Sequence, residues 1–197
     1  MAVRIHTRRL PHWESTFGVY FVTFRLADSL PRDVREHLRA EPKGTRLYQR
    51  KIQRLLDSGA GGCVLRNPLA AKIVMRALYE FEGSRYQLIA GCVMPNHVHV
   101  IFQVVRDWPL SKILFSWKSY TAARIKAALH LEGPLWQREY YDRLLRNSRE
   151  LNAAMNYVVQ NPARAGLKNW PWVFVVPETR HSKGFGTTLG NAPSRAM

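Results

Sequence analysis

Four stretches of this chain alternate like strands, two long stretches between them carry apolar residues at helical spacing, and one helix-like stretch follows. Their order, once an insert after the first strand is set aside, is strand, helix, strand, strand, helix, strand, helix. That order predicts an α+β fold of the ferredoxin-like type, βαββαβ. The expected form is an antiparallel sheet with helices on one face, a helical insert after strand 1 and an added C-terminal helix.

Each element has a local reason. In "GVYFVTFRLADSLP" (18–31), Tyr20, Val22, Phe24 and Leu26 alternate with Val19, Phe21, Thr23 and Arg25, giving a strand with one apolar and one mixed face. Residues 32–57 are rich in Arg, Glu, Lys and Leu, interrupted at Pro42–Gly44, and predict two short helices or a helical hairpin before the flexible "SGAGG". Asn67 and Pro68 then start a helix in which Ile73, Ala77, Leu78 and Phe81 share a side and Gly83 marks the stop. "YQLIAGCVM" (86–94) and "HVHVIFQVV" (97–105) form a hairpin about Pro95-Asn96. In its second strand Val98, Val100, Phe102 and Val104 point one way, and His97, His99, Ile101 and Gln103 the other. The helix at 109–130 buries Leu110, Ile113, Leu114, Trp117, Thr121 and Ile125. Residues 134–147 read as a loop into the fourth strand. Asn147 and Glu150 then have the spacing of a capping box for a helix that Pro162 is expected to terminate, with Leu151, Met155 and Val158 facing the core. The domain spans 1–176, and the Gly-, Ser-, Pro- and Thr-rich segment 177–197 reads as a weakly ordered tail.

Composition narrows the class of partner. The 197 residues include 30 Lys+Arg against 14 Asp+Glu, a formal net charge of +16. Such an excess concentrates polyanions, of which nucleic acid is the commonest. Two cysteines, Cys63 and Cys92, are too few for a disulfide scaffold or a cysteine zinc site. No stretch approaches the length of a membrane span, and no signal peptide is evident, so a cytoplasmic location is expected.

His97 and His99, two apart on a strand, lie side by side and can share one divalent ion, but they can equally be two polar strand residues. A metal site needs a third ligand. Tyr157 and Asn161, four apart on the last helix, stack on one flank and could face the pair together. Each also has an ordinary reading, as a half-buried aromatic and as a helix-terminal residue before proline.

"MPNHVHV", "SWKSYTA", "GPLWQREYYD" and "YVVQNPARAGL", in this order and with "YFVTFRL" upstream, resemble the REP-associated tyrosine transposases. These are single-tyrosine members of the HUH endonuclease superfamily, related to insertion-sequence transposases. The resemblance runs from about Pro11 to Trp172. It implies a single-strand DNA endonuclease and strand transferase acting at palindromic hairpin repeats, with Tyr157 as the nucleophile that forms a 5′-phosphotyrosine. It implies that His97 and His99 are the HUH pair and that Asn161 completes a site for Mg²⁺ or Mn²⁺. Gln160 is the rival third ligand; Asn161 is preferred because it lies under Tyr157, whereas Gln160 is rotated by about 60°. Tyr120 is a rival nucleophile in name, close to a buried stripe.

The expected DNA contacts are Thr23 and Arg25 beside the histidines on an open sheet face, Arg138, Arg143 and Arg146 for phosphates, and Trp136 or Tyr140 for base stacking. The protein would act as a monomer or homodimer. Two alternatives share the fold: a non-catalytic nucleic-acid-binding module, and a nickase of the replication-initiator or relaxase type.

Overall fold

The computed structural model describes residues 3–7, 11–15, 17–30, 34, 36 and 46–177. Its elements are β1 (Val3–Thr7), β2 (Pro11–Ser15), β3 (Val19–Arg25), α1 (Arg46–Asp57), a 3-10 turn (Val64–Arg66), α2 (Pro68–Tyr79), β4 (Tyr86–Val93), β5 (His97–Val104), α3 (Leu110–Leu129), β6 (Tyr141–Leu145), α4 (Ser148–Arg164) and β7 (Val173–Val175). The main sheet runs β6-β3-β5-β4-β7, antiparallel throughout. Its first four strands have the ferredoxin-like order expected from βαββαβ.

The alternation read in the sequence sets the layers. Tyr20, Val22 and Phe24 of β3 and Val98, Val100, Phe102 and Val104 of β5 all face one side, where α2 and α3 cover them. The six residues expected to line α3 are the six it buries. Trp117 is central among them, edge-on to Tyr86 and Phe102 and hydrogen-bonded from its Nε1 to the Tyr86 hydroxyl at 2.9 Å. In β4 a register shift between Leu88 and Ala90 moves the alternation by one. Leu88 therefore faces α2 and α3, while Ile89, Ala90 and Cys92 turn to the opposite side.

That opposite face is where expectation and structure differ. Instead of lying open beside the histidines, it carries a second apolar cluster, in which Cys92, Met94 and Ile101 meet Ala154 and Val158 of α4, with Leu151 and Met155 packed alongside. The predicted stripe on this helix holds; its consequence is a second covered layer. Pro162 also fails to end α4, which continues to Arg164. A proline in the last turn forfeits one backbone bond, and here Ala165 and Leu167 donate to the carbonyls of Asn161 and Pro162 to close the helix. The predicted starts hold: Asn67 Oδ1 accepts from Leu69 N–H, and Asn147 Oδ1 from Glu150 N–H, both at 2.9 Å.

Three strands were not legible. β1 and β2 pair with each other as a separate two-stranded sheet, and β7 joins the edge of β4. Within the insert predicted at 32–57, helix is described at Val34, Glu36 and 46–57. The segment expected to be a weakly ordered tail falls, from residue 178 onward, outside the described residues.

The α2/α3 layer depends on Trp117. Replacing Trp117 with Ala removes a side chain that is 2 % exposed and the N–H that the Tyr86 hydroxyl accepts from, leaving that hydroxyl only its 3.5 Å bond to the Ala77 carbonyl. We expect a loss of ~3–5 kcal/mol in urea denaturation.

Candidate active site on the α4 face

The hairpin turn at Pro95-Asn96 is bolted in place before any chemistry is considered. Leu65 N–H donates to the Pro95 carbonyl and Leu26 N–H to the Asn96 carbonyl. The Asn96 side chain is wholly buried, and its Nδ2 donates to the carbonyls of Leu56 (3.1 Å) and Ala60 (2.8 Å), on either side of the α1 C-terminus. With the amide nitrogen committed to two acceptors, Oδ1 is left facing His97 Nδ1 at 2.7 Å. A carbonyl oxygen can only accept, so His97 carries its proton on Nδ1. Its Nε2 is a bare lone pair.

The same reasoning fixes His99. Gln53 Nε2, on α1, donates to Asp57 Oδ1 at 2.8 Å and lies 3.2 Å from His99 Nε2. An N–H pointed at His99 Nε2 makes that nitrogen the acceptor. The ring proton is then on Nδ1 and is given to Thr23 Oγ1, 2.8 Å away across the β3–β5 ladder. Both rings are completely buried and their Nε2 atoms are 2.9 Å apart. Two lone pairs at that distance repel unless a cation lies between them. Burial makes a proton a poor candidate: it lowers the His97 pKa to about 3 and that of His99 well below the ordinary value, with His97 adding to the second shift.

The remaining groups come from two helices. Tyr157 of α4 stands edge-on to His99 (centroids 5.3 Å apart) and to Phe21 of β3, which itself stacks on His99. One turn further on, Asn161 is fully buried, with Nδ2 3.4 Å from Asp57 Oδ1. Its Oδ1 and the Tyr157 hydroxyl are buried and have no hydrogen-bond partner among the described residues. The Tyr157 pKa is raised, first by burial and then by the Asp57 carboxylate, while Asn161, Arg164 and Gln53 pull the other way. Asp57 itself lies 3.8 Å from His97 Nε2. Asp57, His97 and His99 present ligand atoms within 4.8 Å of one another. This donor set, two imidazole lone pairs, a carboxylate and an orphaned amide oxygen, suits a divalent cation with mixed nitrogen and oxygen preference.

The structure brings together His97, His99, Tyr157 and Asn161. Gln160, by contrast, is exposed and accepts from Arg164 at 2.9 Å. Tyr120 lies on α3, across the sheet from the histidines, and is 52 % exposed. Thr23 is on the histidine face as expected, but its hydroxyl is occupied in orienting His99. Arg25 pairs across from His97 and donates to Ser29 Oγ at 2.9 Å. Trp136 requires correction as a base-stacking residue. It is buried against Phe24 with Nε1 bonded to Thr121 Oγ1, so its indole offers no free face. Of the three arginines near β6, all exposed, Arg143 pairs with Phe21 in the ladder and so stands on the histidine face, 3.8 Å from Glu150. Arg138 sits in the loop whose carbonyls Lys118 holds, and Arg146 donates its backbone N–H to Glu150.

Comparison with known proteins agrees with this geometry. A family profile described as "Transposase IS200 like" matches residues 69–161, from α2 through Asn161. This chain resembles the REP-associated tyrosine transposases. A protein of Haemophilus influenzae described as a putative REP-associated tyrosine transposase is 24 % identical over 105 residues, covering 46 % of this chain and 60 % of the relative. The match thus spans somewhat less than two thirds of that relative's length. Among solved structures, a REP-associated tyrosine transposase bound to a REP hairpin superposes with a TM-score of 0.50 at 18 % identity, covering 85 % of this chain and 81 % of the other. At that identity the likeness establishes the fold. Asp57 and Gln53 lie outside the profile match, and nothing in local spacing ties them to the histidines.

The depressed histidine pKa values have a consequence for stability. The unfolded chain takes up protons near pH 6.5 that the native state refuses until far lower pH. Stability therefore falls as pH drops below about 6.5. In chelator-treated protein, urea denaturation at pH 7 and pH 5 should show a loss on the order of 3–4 kcal/mol, roughly half from each imidazole. His97→Gln should show a smaller loss over the same interval.

Proposed function

We propose that this protein is a metal-dependent nicking and joining enzyme for single-stranded DNA, with Tyr157 as its nucleophile. The observation that carries the reading is the convergence of two histidine lone pairs beside a tyrosine, with an unpartnered amide oxygen one helical turn away. Arg143 on the same face and Arg164, whose guanidinium lies 5.9 Å from the Tyr157 ring centroid, supply positive charge for a phosphate. The net charge of +16 supplies the long-range attraction.

In the reaction the Tyr157 oxygen attacks phosphorus, the bond from phosphorus to the 3′ oxygen breaks, and the phenolic proton ends on that oxygen as a free 3′-OH. A 5′-phosphotyrosine remains, and attack by a 3′-OH reverses the sequence to join strands without an external energy source. His97, His99 and Asn161 would hold Mg²⁺ or Mn²⁺, which supplies Lewis-acid polarisation of the scissile phosphate. Thr23 and Asn96 keep the two imidazoles in the tautomers that leave Nε2 free. Arg164 favours the phenolate form that burial and Asp57 disfavour. The substrate class proposed is a DNA hairpin with a single-stranded flank; the structural relative is bound to a REP hairpin.

Incubation of hairpin oligonucleotides carrying single-stranded flanks with protein and Mn²⁺ or Mg²⁺ should give a covalent adduct on a denaturing gel. Chelation should remove it, and Tyr157→Phe should reduce it by at least about a thousandfold. An adduct that survives Tyr157→Phe contradicts the assignment of the nucleophile. Tight, salt-sensitive binding without adduct under either ion supports a non-catalytic binding module instead.

A further inference from the structure

Asp57 is the last residue of α1, the helix of the insert, and neither the histidine hairpin nor α4 explains its presence at the site. Its Oδ1 accepts from Gln53 Nε2 (2.8 Å), lies 3.4 Å from Asn161 Nδ2 and 3.8 Å from His97 Nε2. Its direct contacts among the described residues are thus two amides and an imidazole whose proton Asn96 holds on Nδ1, while the Arg164 guanidinium acts on it only through space. The carboxylate is only 25 % exposed. A largely buried carboxylate whose direct contacts are amides and an imidazole is costly unless a cation joins them, and the more distant Arg164 offsets only part of that cost. The helix end that bears it is also held in place, because Asn96 Nδ2 grips the carbonyls of Leu56 and Ala60 on both sides of Asp57.

We infer that Asp57 is a direct, anionic ligand of the divalent ion, contributed by the insert in addition to the two histidines and Asn161. This rests on the ion-binding reading given under the proposed function. Donor atoms that share a small octahedral ion stand about 3 Å apart when adjacent and about 4 Å apart when opposite. The separations of 2.9 Å between the histidine nitrogens and 3.8 Å from His97 to Asp57 fall in that span. Gln53 then has a defined part as a positioning residue. Its amide donates to Asp57 Oδ1 and holds the carboxylate toward the imidazoles, while its 3.2 Å approach to His99 Nε2 is given up when that nitrogen's single lone pair takes the ion. The insert is thus part of the ion site, and the ion ties the insert to the sheet. A carboxylate also changes the character of the site: two imidazoles and an amide form a neutral set, whereas adding Asp57 gives it a charge of −1 and favours hard Mn²⁺ or Mg²⁺.

The test measures the ion itself, by Mn²⁺ titration with electron paramagnetic resonance and by water-proton relaxation, which counts the waters left on the bound ion. Wild-type protein should retain about two waters on a six-coordinate ion. Asp57→Asn should weaken Mn²⁺ affinity at least about tenfold, and Asp57→Ala should do so while adding one water, with far-UV circular dichroism unchanged. His97→Ala should abolish binding. Affinity and water count unchanged in both Asp57 variants, with His97→Ala still binding nothing, overturn the role of Asp57 and leave the histidine site standing. A wild-type count of about three waters overturns it without recourse to any variant. Absence of Mn²⁺ binding by wild-type protein defeats the ion reading and this inference together.

Discussion

The amide of Asn96 is the constraint on which the candidate site depends. It joins the tip of the β4–β5 hairpin, and the site histidine next to it, to the sequence-distant end of the insert helix. Because its nitrogen is spent on two α1 carbonyls, its oxygen has one remaining use, and that use decides where the His97 proton sits. Everything downstream follows from a lone pair on Nε2. The second imidazole is fixed in the same sense by Gln53 and Thr23, one from α1 and one from β3. Two buried, neutral rings then face each other at 2.9 Å with nothing to share. Left empty, that contact is unfavourable; occupied by a divalent ion, it becomes the reason for the arrangement.

The sheet serves this end by dividing its two faces. One face packs against α2 and α3 through an aromatic cluster about Trp117. The other carries the candidate site, and α4 covers it by packing Ala154 and Val158 against Ile101 and Cys92, which brings Tyr157 and Asn161 to the histidines. The placement of these two side chains is therefore a by-product of core packing. A helix anchored by its apolar stripe cannot rotate without exposing that stripe, so the flank bearing Tyr157 and Asn161 stays aimed at β5. Burial also raises the Tyr157 pKa, which keeps the phenol protonated.

Much of this was legible from spacing. Period-two alternation in 19–26 and 97–104 assigned both faces correctly, and the spacing of four between Tyr157 and Asn161 picked out the flank of α4 that meets the histidines. What stayed hidden depends on contacts between distant segments. β7 is three residues long and exists only because the edge of β4 is there to pair with it. Trp136 looked like an exposed aromatic among arginines, yet a bridge from Leu26 and a hydrogen bond to Thr121 draw it into the core. The covered site face was missed because an apolar stripe shows that a helix packs without saying against which side of a sheet. Asp57 was missed for a simpler reason. Gln53 and Asp57 have the same spacing of four that singled out Tyr157 and Asn161, but they lie in a charged helix where such pairs are common.

The tautomers of the two histidines test the account most directly. Long-range ¹⁵N–¹H correlation spectra of chelator-treated protein labelled at histidine distinguish a protonated ring nitrogen from a bare one. The account predicts that His97 and His99 are both neutral with the proton on Nδ1, so that two unprotonated Nε2 resonances appear and shift when a diamagnetic divalent ion is added. A protonated Nε2 on His97 would mean that the Asn96 amide does not set the ring, and the convergence of lone pairs on which the site is built would not exist.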